Sequence, residues 1–135
     1  MNSNQVVAII GYGTAGVNAA IGLRAAGYDG VIRAYSDTAI PPYSPILTSY
    51  YVGGEKTYDE CFPWSDAELA ELGVEVVAGA RVTGLDPAAH LIRTQDGRED
   101  RYDKCVVCVG ARPTTVGFPA DCGYEPLVLR TMDDA

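Results

Sequence analysis

The sequence predicts an α/β domain, a parallel sheet built around a glycine-rich turn with a small three-stranded antiparallel meander. Three observations carry this. The β-branched run Val6–Ile10 meets Gly11-Tyr12-Gly13-Thr14-Ala15-Gly16 with no gap. A segment of helical period and a second β-branched run, Val31–Tyr35, come next. Farther on, three short extended segments are divided by Asp86-Pro87 and Asp96-Gly97, both turn signals.

Val6–Ile10 is apolar at every position, so it reads as a strand buried on both faces. Residues 17–26 place Val17, Ala20 and Ile21 at helical spacing, and Gly27 closes the helix. With Val31–Tyr35 the first 36 residues form a strand–turn–helix–strand unit, expected to be parallel with a right-handed crossover. Periodicity then fails from 36 to 63. Pro41, Pro42, Pro45, Gly53 and Gly54 exclude a long regular element there. Tyr43, Tyr50, Tyr51 and Tyr58 crowd the same segment and could either pack it down or stack on a ligand ring. Ser65 and Glu68 form a capping box for a short helix that Gly73 ends. Residues 74–78 read as a third strand, and 81–85, 89–95 and 98–102 as the meander. Residues 105–109 read as a buried strand, and beyond Gly110 the chain is irregular up to the acidic tail.

A length of 135 residues suits one domain, 1–135, and 47% hydrophobic with 21% charged residues is a globular composition. The formal net charge of −8 repels phosphate backbones and anionic lipid heads, which argues against nucleic-acid and membrane partners. The longest uncharged stretch, ending at Gly54, is broken by prolines and cannot span a bilayer. Residues 1–5 carry no positive side chain, so a cytoplasmic rather than a secreted protein is expected. Cys105 and Cys108 have the CxxC spacing of redox and zinc sites. Redox pairs open a helix, whereas this pair sits in a predicted strand, where i and i+3 face opposite ways. Both are read as small core residues. A zinc ion would need two further ligands, and Cys61, His90 and Cys122 lie at no recognisable spacing. His90, the single histidine, lies in the meander away from the predicted site.

Chemistry is carried by the glycine turn. Gly11 permits a tight turn, Gly13 has no Cβ to keep a pyrophosphate from the backbone, and Gly16 lets the helix approach the strand. The helix start, with Thr14 and Ala15, offers unpaired N–H groups and the positive end of the helix dipole. Asp37 lies 21 positions after Gly16 at the end of the second strand, placed to accept hydrogen bonds from ribose hydroxyls, and Ser36 could share that role. This is a Rossmann-type dinucleotide signature, and it leaves NAD, NADP and FAD open.

Three blocks resemble the ferredoxin and rubredoxin reductase-like branch of the pyridine nucleotide-disulfide oxidoreductase superfamily. They are residues 6–16 with their helix, the segment Ile40-Pro41-Pro42-Tyr43-Ser44-Pro45-Ile46-Leu47-Thr48, and Cys108-Val109-Gly110-Ala111-Arg112-Pro113. The meander and the closing residues 129–135 follow the same order as in that family. The resemblance implies that the cofactor is FAD. Gly11, Gly13, Thr14, Ala15 and Gly16 would hold its pyrophosphate, Ser36 and Asp37 its ribose, and Pro45, Val82, Val109, Gly110 and Arg112 would complete the cofactor-binding set.

The departures from the family pattern are equally specific. The family's loop lysine is replaced by Thr48-Ser49-Tyr50, the threonine of its second motif by Val109, and residues 36–60 hold no cysteine pair for dithiol chemistry. No second glycine fingerprint is present. The chain is therefore expected to be a fragment or subunit, the FAD-binding part of an NAD(P)H-dependent flavoprotein oxidoreductase that passes electrons to an iron–sulfur protein or similar acceptor. Its partners would be FAD and the remaining NAD-binding part, it would have little turnover alone, and it would self-associate through uncovered apolar surface. The alternative is a standalone adenine-nucleotide-binding module without catalysis.

Overall fold

The computed structural model describes residues 5–114, 123 and 127–135. In chain order they form β1 (Val6–Ile10), α1 (Thr14–Ala25), β2 (Val31–Tyr35), α2 (Leu47–Val52), α3 (Asp66–Glu71), β3 (Val74–Val77), β4 (Val82–Asp86), β5 (Leu91–Thr94), β6 (Glu99–Arg101) and β7 (Lys104–Val107). Short 3₁₀ turns occupy Asp59–Cys61 and Met132–Asp134. The chain divides into two compact units: Met1–Tyr43 with Trp64–Gly110, and Ser44–Pro63 with Ala111–Ala135.

In the first unit a parallel sheet runs in the order β3-β2-β1-β7, and the meander is an antiparallel sheet in the order β4-β5-β6. Val6 pairs with Val31, Val7 with Lys104 and Ile32 with Val74, so all four strands of this sheet run parallel. Strand alternation then sorts the core onto two faces. Val7, Ile9, Ile32 and Ala34 pack with Val17 and Ala20 of α1. Ala8, Ile10 and Tyr35 pack with Ile92 and Tyr102 of the meander. Ile9, Ile32 and Ile92 are fully buried, each adding about 1.5–3 kcal/mol relative to exposure. The same alternation parts the CxxC pair: Cys105 packs on the meander side and Cys108 on the α1 side. Burial pushes both thiols up.

Local chemistry places the remaining elements. Ser65 Oγ accepts the Glu68 N–H at 3.3 Å while the Glu68 carboxylate accepts the Ser65 N–H at 2.8 Å, the reciprocal box that starts α3. Arg24 donates to the carbonyls of Leu72 (2.8 Å), Tyr28 (2.7 Å) and Gly30 (2.9 Å), tying the last turn of α1 to the end of α3. At the β5–β6 hairpin Gly97 has φ +85° and donates to the Thr94 carbonyl at 3.0 Å.

Three expectations are corrected. The helix begins at Thr14 rather than at residue 17, because Val17 N–H already bonds the Gly13 carbonyl at 2.9 Å and Gly16 lies inside the first turn. The strand at 104–107 is not buried: β7 pairs with β1 on one side only among the described strands, and Val107 is 57% exposed. An unbroken apolar run cannot distinguish a strand with one neighbour from a strand with two. His90 stands in the turn before β5 with φ +52°, not in an extended segment, because Asp86 Oδ1 accepts the N–H groups of Ala88 and Ala89 and bends the chain there.

In the second unit the proline-rich segment has no long element, as its sequence implies, but it holds the short α2. Tyr58 packs against Tyr51 (6.0 Å between centroids) and Phe62 (4.9 Å), so these rings hold the loop together. Cys61 is fully buried there. The acidic tail is folded into a turn in which the Asp134 carboxylate accepts the N–H groups of Arg130 (2.9 Å) and Thr131 (2.7 Å). Cys122 lies outside the described residues. Among the described residues no helix is long and apolar enough to cross a membrane.

Candidate functional site

The parallel strands β1, β2 and β7 end at one edge of the first unit, and the glycine turn links them. Gly11 N–H donates to the Tyr35 carbonyl at 2.9 Å, and Cys108 N–H donates to the Ile10 carbonyl at 2.7 Å. Gly11 has φ +95°, and a Cβ there would collide with the Cys108 carbonyl oxygen and lie 3.2 Å from Val109 Cα. A Cβ on Gly16 would collide with the Gly11 carbonyl oxygen and lie 3.3 Å from Ile9 Cγ2. Protein atoms therefore occupy the space beside both glycines.

Gly13 differs. Its φ of −91° is open to any residue, and nothing lies within 4 Å of a Cβ placed there. It is the N-cap of α1, with no side-chain cap and no acidic residue in the first turn. The N–H groups of Thr14, Ala15 and Gly16 thus begin a twelve-residue helix that no carboxylate caps, the arrangement that attracts an anion. Thr14 Oγ1 donates to the Tyr43 carbonyl at 3.3 Å. The open volume over Gly13 and the uncapped helix start fit a dinucleotide pyrophosphate.

At the end of β2, Asp37 is exposed, and among the described residues no hydrogen bond or ion pair engages its carboxylate. Ser36 is buried and its Oγ accepts the Thr38 N–H at 3.4 Å. Val109 is 62% exposed beside Gly11, and Gly110 has φ +70°. Val82 starts β4 and packs on the cluster that holds Tyr35 and Ala80. Pro45 and Arg112 belong to the second unit, where the Pro45 carbonyl accepts Thr48 Oγ1 at 2.7 Å and Arg112 is exposed.

A polar cluster went unread in the sequence. Tyr35 Oη donates to Asp100 Oδ2 at 2.8 Å. Asp100 is also paired with Arg98, and its other oxygen lies 3.8 Å from Arg33. Arg33 bonds Glu75 at 2.8 Å. Burial and then the bond to Asp100 push the Tyr35 hydroxyl up to about 12. Burial alone would raise the Asp100 carboxyl, but Arg98 and Tyr35 outweigh it and hold the group below its usual range. The available signal was Arg33 and Tyr35 at alternate positions of an otherwise apolar strand.

Residues 5–135 match the sequence profile of the family described as pyridine nucleotide-disulphide oxidoreductase. The chain belongs to that family. This oxidoreductase-family chain is 34% identical to putidaredoxin reductase of Pseudomonas putida, over 100% of its own length and 33% of the relative. It is 29% identical to a rubredoxin-NAD(+) reductase of the same organism, over 97% of its length and 34% of the relative. Among solved structures, putidaredoxin reductase in a covalent complex with putidaredoxin superimposes with a TM-score of 0.77 at 32% identity, covering 86% of this chain and 28% of that one. The ferredoxin reductase for the CYP199A2 system from Rhodopseudomonas palustris gives 0.81 at 26% identity, covering 97% and 32%. The chain thus spans about a third of the length of these relatives. Proteins of this family are FAD-binding flavoproteins, and the Rossmann-type fold with its meander is the fold the sequence implied.

Proposed function

We propose that this chain is the FAD-binding part of an NAD(P)H-dependent flavoprotein oxidoreductase that delivers electrons to an iron–sulfur protein. The observation that carries the reading is the open space over Gly13 at the uncapped start of α1. On this reading the N–H groups of Thr14, Ala15 and Gly16 bind the pyrophosphate, and the unengaged Asp37 carboxylate accepts the ribose hydroxyls. An acid at that position also repels a 2′-phosphate. Ser36, held by Thr38, braces the strand end behind Asp37. Val82 backs the adenosine side through its contact with the Tyr35 cluster, and Val109 and Gly110 border the turn. Pro45 and Arg112 are assigned to the cofactor by the family resemblance alone. Bound FAD supplies hydride acceptance and single-electron release, while the chain's own groups grip and orient it.

The NAD-binding remainder of the enzyme is a partner in this proposal, supported by relatives about three times as long. Alone, the chain binds FAD and oxidises no NADH at an enzyme-like rate. Among the described strands β7 has one neighbour, and its exposed Val107 with the exposed Val109 just beyond it supports self-association of the isolated chain. Light scattering that finds only monomer would count against that.

One observation favours a second reading, an adenine-nucleotide module without catalysis: Gly13 and Asp37, the two grips with open access, both address the ADP half of a dinucleotide. Titration with FAD and with ADP separates the two. A purified yellow protein with a flavin absorption band supports the reductase part. A colourless protein that binds ADP and refuses FAD supports the module and overturns the first reading.

A further inference from the structure

We propose that the Tyr35–Asp100 hydrogen bond is a positioning contact for nucleotide binding, one that sets Asp37 against the glycine turn. The inference rests on the dinucleotide reading above and extends it to residues that touch no ligand. Tyr35 is the last residue of β2, two positions before Asp37. Its carbonyl accepts the Gly11 N–H at 2.9 Å, so the same peptide that leads to the ribose carboxylate also holds the phosphate turn. The next residue is held by main chain on the β3 side: Ser36 N–H donates to Val77 at 3.1 Å and its carbonyl accepts Ala80 N–H at 2.7 Å. Among the described residues Asp37 itself has no tether, and its place is inherited from Tyr35 and Ser36.

The Tyr35 ring, 2% exposed, passes to the other face of the sheet and ends on Asp100 of β6, 65 residues away. Asp100 is immobilised in turn by Arg98 and, at longer range, Arg33. Packing alone would bury a phenylalanine equally well, so the hydroxyl adds a fixed height along the strand rather than burial. Loss of such a bond, read as misplacement of a binding group, is expected to weaken affinity by roughly 2- to 10-fold.

The test is a double-mutant cycle read by FAD and ADP titration of the 135-residue chain, with circular dichroism to confirm folding. Asp37→Asn alone should weaken both ligands. Tyr35→Phe should weaken them about 5-fold when Asp37 is present and less than about 2-fold in the Asp37→Asn background, because its effect passes through that carboxylate. Asp100→Leu, which keeps similar volume and removes the acceptor, should repeat this pattern. Equal losses in both backgrounds, or no loss at all, would show that the bond serves stability only and would overturn the proposal. Failure of the underlying reading looks different: the unmodified chain would bind neither ligand, or Asp37→Asn would change nothing, and the proposal would fall with it.

Discussion

The glycine turn and the outer face of the meander, both in the first unit, make contacts of opposite kinds. At the turn, backbone lies against backbone: the nearest atom to a Cβ on Gly11 is the Cys108 carbonyl oxygen, and on Gly16 the Gly11 carbonyl oxygen. On the meander's surface, side chains meet at the ends of flexible stems, as in Arg93 with Glu99 at 2.7 Å. The difference teaches where the fold tolerates change. A contact between main chains has one geometry, while a surface ion pair can re-form several ways and contributes little.

The largest effect should come from Gly11→Ala. It puts a side chain on a residue with φ +95° and drives it into backbone, so a loss above about 3 kcal/mol is expected in chemical unfolding. A variant of ordinary stability would break the comparison. Gly16→Ala should also destabilise strongly, despite alanine's helix propensity, because its collision is with the Gly11 carbonyl oxygen.

Gly13→Ala separates binding from folding inside the same motif. Stability should change by no more than about 1 kcal/mol, the usual scale of an N-cap change. FAD affinity, measured by fluorescence quenching, should fall about 10-fold or more because the methyl enters the open space over the turn. Equal affinity in the variant would remove the support for a pyrophosphate there.

The Tyr35–Asp100 bond stands between the two regimes and has a pH signature. Tyr35 is raised in the folded chain to about 12 from an ordinary 10.0. Its contribution is therefore complete below pH 10 and lost as pH rises from there toward about 12, since the unfolded tyrosine ionises first. Asp100 works in the other direction. Its folded carboxyl is depressed, so its contribution is present above the ordinary aspartate range and lost as pH falls through the folded value. Denaturant midpoints across alkaline pH should decline less steeply in Tyr35→Phe than in the unmodified chain. Parallel curves would show that the hydroxyl is not held as described.

The smallest effect is expected for Glu99→Gln. Arg93 and Glu99 are about half exposed, so the unfolding free energy should change by no more than about 0.5 kcal/mol, and less at high salt.

Much of this arrangement was legible from residues alone. Val6–Ile10 followed by three spaced glycines required a strand, a tight turn and a helix, because only that combination uses all three missing side chains. Ser65 with Glu68 marked α3, and Asp96 with Gly97 marked the β5–β6 hairpin. The order of strands was not legible. Cys105, Val106 and Val107 read as fully buried, and whether β7 has one neighbour or two depends on which strands meet, not on its composition. The Tyr35–Asp100 pair was equally hidden: Tyr35 stands out in an apolar strand, but its partner is 65 residues away and nothing local points to it.

By itself, the sequence determined local geometry: where the backbone must turn left-handed, where a helix starts, which residues alternate across a strand. These depend on neighbours within a few positions, and each residue's sterics and capping chemistry specify them. Tertiary structure alone decided which atoms crowd Gly11 and Gly16, which packed cluster receives Cys105 and which receives Cys108, and that among the described residues Asp37 stays unengaged while Ser36 is buried. Those outcomes depend on what the rest of the chain brings to the same point, which no local pattern encodes.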